Sequence, residues 1–134
     1  LVQTMQEIAG NRELIARDRL LAMVRHHVGM LRATRGLPIL ILAEGLASGD
    51  QQIIETIGGI LRRYIGLLEA VLGELGLELG VAPQRQVMLF LGLPAALGLQ
   101  MRAFPEHSLT DDEVDRLVRH YVLALTRATS EIRP

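Results

Sequence analysis

The chain has no cysteine, so a disulfide framework, a thiolate nucleophile and a zinc–thiolate site are all excluded. It has no lysine either: all 14 basic residues are arginine, and with Gly, Ala and Leu abundant the bias reads as that of a GC-rich bacterial coding sequence. Aromatics make up 3% and strict apolar–polar alternation is scarce, so strands lack their usual signals. No excess of one charge sign exists. The formal net charge is −1 and the arginines are spread along the chain, which leaves no basic stripe for nucleic-acid phosphates. The longest apolar runs, LPILILAEGLA and VMLFLGLPAALGLQM, fall short of the ~20 residues needed to cross a bilayer, and no basic-then-apolar signal segment opens the chain. The expectation is a cytoplasmic protein with no membrane partner.

What is present is 49% hydrophobic and 22% charged residues in a chain of 134, enough for one folded domain spanning 1–134. Apolar residues recur at three and four, so the predicted fold class is all-α. Because the sequence opens at Leu1, in what reads as mid-helix, residues are expected upstream. A first helical segment covers residues 1–14 and ends loosely near Gly10. A second, over residues 15–34, carries Leu20, Leu21, Val24, Val28 and Leu31 on one side, with Arg17, Arg25 and Arg32 on the other. The short PILILAEGLA, nearly all apolar, is expected to be buried. Asp50 or Ser48 caps a long helix that reaches Leu79 and ends at Gly80. Pro83 begins the next helix, to about Phe104. Thr110 with Glu113 forms a capping box, and Leu109 with Val114 a hydrophobic staple, so the final helix runs from Asp111 to about Thr129.

Within IIETIGGILRRYIGLLEAVLGELGLELG, glycine recurs at every seventh position: Gly59, Gly66, Gly73 and Gly80. At ~100° per residue the first three lie opposite Ile57, Ile60, Leu61, Tyr64, Leu68, Val71 and Leu72, on the polar side. Two readings remain open: tolerated surface glycines, or close approach by another helix. Neither makes them a ligand site.

The segment QVMLFLGLPAALGLQMR is apolar all round, and a helix without a polar face must be buried on every side. In a bundle this small, covering its outer face requires a second copy of the chain. Gly92, Ala95, Ala96 and Gly98 permit close helix contact, while Pro94 removes an internal hydrogen bond and should bend the helix. The stripe Val114, Leu117, Val118, Tyr121, Val122 and Leu125 lies on the final helix. Two such helices from each of two chains make a four-helix homodimer interface with two-fold symmetry. Its residues are expected to be Leu89, Leu93, Ala96, Leu97, Gln100, Leu117, Tyr121 and Leu125. The alternative is a helix buried within one monomer.

In order and length these elements resemble the C-terminal ligand-binding and dimerisation domain of TetR/AcrR-family transcriptional regulators. RDRLLAMVRHHVGMLRATRGLPILILAEGLASGDQQIIETIGG and the long helix after it are similar to that family's amphipathic, short and long helices. VMLFLGLPAALGLQMRAFPEHSLTDDEVDRLVRHYVLALTRA is similar to its last two. The resemblance implies a bundle of about six helices, a pocket for a small lipophilic effector and a dimer through the last two helices. It also implies a missing helix-turn-helix DNA reader of about fifty residues before Leu1, with residues 1–14 ending the linking helix. IAG at Ile8–Gly10 is not that reader, since no turn and recognition helix follow it. Pro94 departs from straight packing in the dimer helix. The implied pocket would draw on Met23, His27, Met30, Tyr64, Leu68, Met88 and Leu91, with no cofactor, and DNA would be a partner only through the missing domain.

Catalysis has little support. His26 and His27 diverge by ~100° on a helix, which rules out simple shared metal ligation, and no Glu-x-x-His pair occurs. There is no Gly-x-Ser-x-Gly elbow, and Ser48, Ser108 and Ser130 sit in turns or at an end. Glu44 is the one acid in a buried-looking segment. The acidic run at 111–113 is explained by helix capping. His27 and Tyr64 fit either a core or a pocket, and the methionines either packing or an adaptable wall. The leading expectation is thus a non-enzymatic repressor domain. Its rival is a structural helical dimer without a small-molecule ligand, which should be packed solid.

Overall fold

The computed structural model describes residues 2–77 and 79–127, and the apolar periodicity is realised there as helices alone, with no strand among the described residues. In order they are α1 (Val2–Gly10), α2 (Ala16–Ala33), α3 (Leu37–Ala47), α4 (Gln51–Leu75), α5 (Pro83–Ala103) and α6 (Asp111–Arg127), with a 3-10 turn at Pro105–His107. The expected end of the last helix near Thr129 lies outside the described residues.

Local chemistry explains most boundaries. The Asp50 carboxylate accepts the N–H groups of Gln52 (2.9 Å) and Ile53 (3.2 Å) at the start of α4. Ahead of α6, Glu113 accepts the Thr110 N–H (2.8 Å) and Thr110 Oγ1 accepts the Glu113 N–H (3.2 Å), with Leu109 and Val114 packed on the core beside them. Pro83 opens α5 directly after the Ala82 cap.

One boundary differs from expectation. α4 stops at Leu75, where Gly76 takes the left-handed conformation (φ 61°), rather than running to Leu79 and Gly80. Had the helix continued, Leu77 would point about 180° away from Leu68. Ending at Gly76 turns Leu77 inward, where it joins the core.

The core lies between α2, α4 and α5. It is filled by Leu20, Met23, Val24, Val28 and Leu31 from α2, Leu68, Val71 and Leu72 from α4, and Val87, Phe90 and Leu97 from α5. α1 adds Met5, and α6 lays Val114, Val118 and Val122 mainly along α2. Two arginines of α2 pin α6 in place: Arg25 pairs with Asp115 (2.7 Å), and Arg32 reaches Asp111 (2.6 Å) and the Leu109 carbonyl (3.1 Å).

Arg19, which the sequence reading did not single out, is 3% exposed. Its guanidinium donates to the carbonyls of Ala9 (2.9 Å) and Leu14 (3.2 Å) and to both carboxylate oxygens of Glu74. A buried charge is tolerable only when paired and hydrogen-bonded in this way. The Ala9 carbonyl belongs to the last turn of α1, so Arg19 also closes that helix end and ties α1, α2 and α4 together.

α3 corrects a second expectation, since none of its residues is buried. It rests on α4 and α5 from one side only, and nothing among the described residues covers its outer side, where Leu37, Leu40 and Leu46 are exposed. Glu44 is likewise exposed rather than buried. α3 approaches its neighbours closely: a Cβ on Gly36 (φ 70°) would stand 2.5 Å from the Gly98 carbonyl oxygen, and one on Gly98 would stand 2.8 Å from Ile39. Gly98 therefore serves packing inside the chain.

The heptad-spaced glycines Gly59, Gly66 and Gly73 face open space, with nothing within 4 Å of a Cβ built on any of them. Gly66→Ala should raise unfolding free energy by about 0.5–1 kcal/mol, the helix-interior difference between the two residues. Gly36→Ala should lower it by more than ~1 kcal/mol, because it adds a left-handed strain to a backbone clash. Urea unfolding of the two variants checks both signs; a destabilising Gly66→Ala would mean that another helix abuts this face.

Candidate ligand-binding cavity

α3 covers a gap that aliphatic side chains leave unfilled. The resulting cavity, about 480 Å³, lies among α2, α3, α4 and α5, within the ~300–1,000 Å³ usual for small-molecule sites. α3 contributes Pro38, Ile39 and Leu42; α4 contributes Ile57, Leu61 and Ile65; α5 contributes Leu91 and the small Ala95. Ile41 and Ile60 also line it, yet are 57% and 51% exposed, which marks the mouth. Among the described residues, only two polar side chains reach the cavity, His27 and Tyr64.

These two are bonded to each other. Tyr64 Oη lies 2.7 Å from His27 Nδ1, with the rings edge-to-face at 5.0 Å. Burial raises the Tyr64 phenol above its ordinary value, so the hydroxyl keeps its proton. Burial, and then the neighbouring His26, lowers His27 to about 4, so the imidazole is neutral at pH 7. A neutral imidazole carries one ring hydrogen, so Nδ1 accepts from the phenol in one tautomer and donates to it in the other.

Of the seven residues expected to form a pocket, His27, Met30, Tyr64 and Leu91 are brought together here. Met23 and Leu68 are not. Each lies one helical turn further on, where α2 and α4 close on each other beyond the reach of α3, and both are fully buried in the core. Met88 is 71% exposed, one step around α5 from the buried line of Val87, Phe90, Pro94 and Leu97. The α3 lining and Ile65 are not among the pocket residues expected from sequence, and Ile57 and Leu61, expected on the inward arc of the long helix, were not assigned to the pocket. The uniformly apolar α3 was the available signal, but its packing partner cannot be read from an element with no distinct face.

The residues expected at a dimer interface divide. Leu89, Ala96 and Leu117 are exposed, and with Met88 and Leu99 they leave apolar surface on α5 and α6. Leu97 is 7% exposed and belongs to the chain's own core, because α5 turns the Leu97–Gly98 edge toward α2 and α3. Leu93 and Leu125 are half-buried against that core. The Gln100 amide donates to the carbonyls of Phe104 (3.1 Å) and His107 (2.7 Å), fastening the turn after α5. Tyr121 sits edge-on to Phe90 and donates its hydroxyl to the Leu89 carbonyl.

The acidic run at the start of α6 is occupied structurally: Asp111 pairs with Arg32, Asp112 with Arg116, and Glu113 closes the capping box. The Thr110 backbone N–H, then its hydroxyl, hold the Glu113 carboxyl below its ordinary value. Among the described residues no cluster of three or more His, Asp or Glu has the arrangement of a metal site. No helix among them is long and apolar enough to cross a membrane.

No protein-family model matches the chain, and neither a curated protein nor a solved structure matches it.

His27 makes stability depend on pH. Its folded-state value of about 4 lies below the ordinary 6.5, so as pH falls the unfolded chain takes up this proton first. Stability is therefore lost between pH 6.5 and about 4, by up to roughly 3 kcal/mol at ~1.36 kcal/mol per unit. Glu74, held below its ordinary 4.5 chiefly by Arg19, adds its own loss as pH falls through about 4.5 and lower. Urea unfolding between pH 7 and 4.5 should show the decline, and His27→Gln should flatten it.

Proposed function

We propose that this chain is the effector-binding and homodimerisation domain of a bacterial transcriptional repressor similar to the TetR/AcrR family. A small lipophilic effector occupies the cavity between α2, α3, α4 and α5. Its binding favours one spacing of two helix-turn-helix heads, carried on a domain preceding α1, over another. The observation that carries this reading is the cavity itself: about 480 Å³, aliphatic, with one interior polar pair and a mouth at Ile41 and Ile60. So apolar a recess suits a lipophilic occupant better than water.

The resemblance in helix order adds the regulatory role, and the leftover apolar surface of α5 and α6 supports the two-fold partner. α3 is suited to transmit occupancy. It forms one wall of the cavity, it buries no residue of its own, and its tight turn at Gly36 rests on α5 at Gly98. Enzymatic chemistry has no group to work with in the cavity beyond the mutually bonded His27 and Tyr64.

Two measurements test the proposal. Saturating amounts of medium-chain lipophilic compounds should raise the melting temperature, since ligand at a hundred times its dissociation constant stabilises by about 2.7 kcal/mol. Ala95→Phe, which fills the cavity, should abolish the shift. A panel without any shift would sink the effector reading. In sedimentation equilibrium the wild type should run as a dimer, and Met88→Glu combined with Leu117→Glu should halve the mass without unfolding the chain, because both side chains are exposed. A monomeric wild type would count against the dimer.

A further inference from the structure

We propose that the cavity selects an uncharged lipophilic molecule carrying a hydrogen-bond acceptor, such as a ketone, ester or lactone carbonyl, and that His27 Nε2–H is the group that holds it. This rests on the reading of the cavity as an effector site and narrows the ligand by hydrogen-bond polarity.

The argument starts from the 2.7 Å contact between Tyr64 Oη and His27 Nδ1. Two arrangements of hydrogens satisfy it. If Nδ1 carried the hydrogen, the Tyr64 O–H and the Nε2 lone pair would both be left without partners. If the hydroxyl donates, Nε2–H and the lone pairs of the phenol oxygen are left. The second arrangement is the favoured one because it sets the more acidic donor, the phenol, against the more basic acceptor, the imidazole nitrogen. Nε2 has no hydrogen-bond partner among the described residues, and it is not among the side-chain nitrogens sealed from space. Nε2 thus keeps accessible surface on a residue that lines the cavity, which makes it the donor we assign to an occupant; apart from Tyr64, the remaining lining is apolar.

The consequences for a ligand follow. A carbonyl oxygen satisfies the N–H, while a hydrocarbon of the same shape leaves it buried and unpaired. An ammonium group finds no negative charge in the lining to offset its desolvation. A carboxylate would enter an apolar chamber with no positive charge in its lining. Tyr64 does not touch the ligand's polar atom in this scheme; it positions the imidazole and fixes which nitrogen donates.

The test compares methyl octyl ketone with the hydrocarbon in which a methylene group replaces its carbonyl oxygen. Each is titrated into the wild type and into the variant His27→Leu with Tyr64→Phe, whose folding is checked by its melting transition. Because the two compounds differ in hydration, the informative quantity is how each affinity changes between proteins. The ketone should bind the variant about tenfold more weakly, the scale of one net hydrogen bond, while the hydrocarbon should bind it equally well or better. Equal changes for both compounds would overturn the proposal while leaving the effector site standing. If neither compound binds the wild type, the effector reading fails and the proposal with it. Should the double variant not fold, nitrogen NMR shifts of isotope-labelled histidine in the wild type decide the matter directly. A hydrogen on Nε2 of His27 is expected, and a hydrogen on Nδ1 overturns the assignment.

Discussion

The chain carries more apolar helix surface than a bundle of its size can enclose, and the rest of the structure follows from how that excess is distributed. α3 and α5 are both apolar around their circumference, so neither can satisfy all its faces within one protomer. α5 turns one side into the core through Val87, Phe90, Pro94 and Leu97 and leaves Met88, Leu89 and Leu99 outside. α3 takes the opposite course. It buries nothing completely and instead roofs a space that α2 and α4 leave open. The cavity and the leftover surface are two outcomes of one shortage of covering material.

Few polar interactions orient this packing, and most of them are made by arginine. Arg19 gathers the end of α1, the start of α2 and the end of α4 around a single buried guanidinium. Arg25 and Arg32 fasten α6 to the opposite side of α2. A planar guanidinium with several fixed donors suits such junctions better than a lysine ammonium, because one group can satisfy a carboxylate and backbone carbonyls together. With α2 held at both ends, the α3 side of the bundle has no comparable fastening among the described residues. Its close contacts there are apolar and run through glycine: Gly36 on Gly98, and Gly45 on Ile53 and Ile57.

That asymmetry suits the proposed regulatory role. The part of the bundle that encloses the cavity is the part least tied by charge, while the part next to α1 is the most tied. In the proposed repressor, an occupant pressing on α3 and α4 would be felt at α1 through α4, whose Glu74 end is locked to α1 and α2 by Arg19.

Helix existence and most boundaries were legible in the sequence, because they rest on contacts between residues close along the chain. The Asp50 cap, the Thr110–Glu113 box and Pro83 at the start of α5 all act within one helical turn. His27 and Tyr64 were legible as inward-facing polar residues, since each shares a helical face with core positions. Local reasoning gave way where partners are distant. Gly76 rather than Gly80 ends α4 because Leu77 is drawn into a core assembled from other helices. Leu97 and Gly98 face inward because α3 and the Gly36 turn come to rest on them. Arg19 is buried because Glu74 arrives from a helix far along the chain. The sequence by itself determined an all-helical chain with an excess of apolar surface. Tertiary structure alone decided which part of that surface became core, which enclosed a cavity and which stayed outside, because a helix that is apolar on every side carries no local instruction about which side to bury.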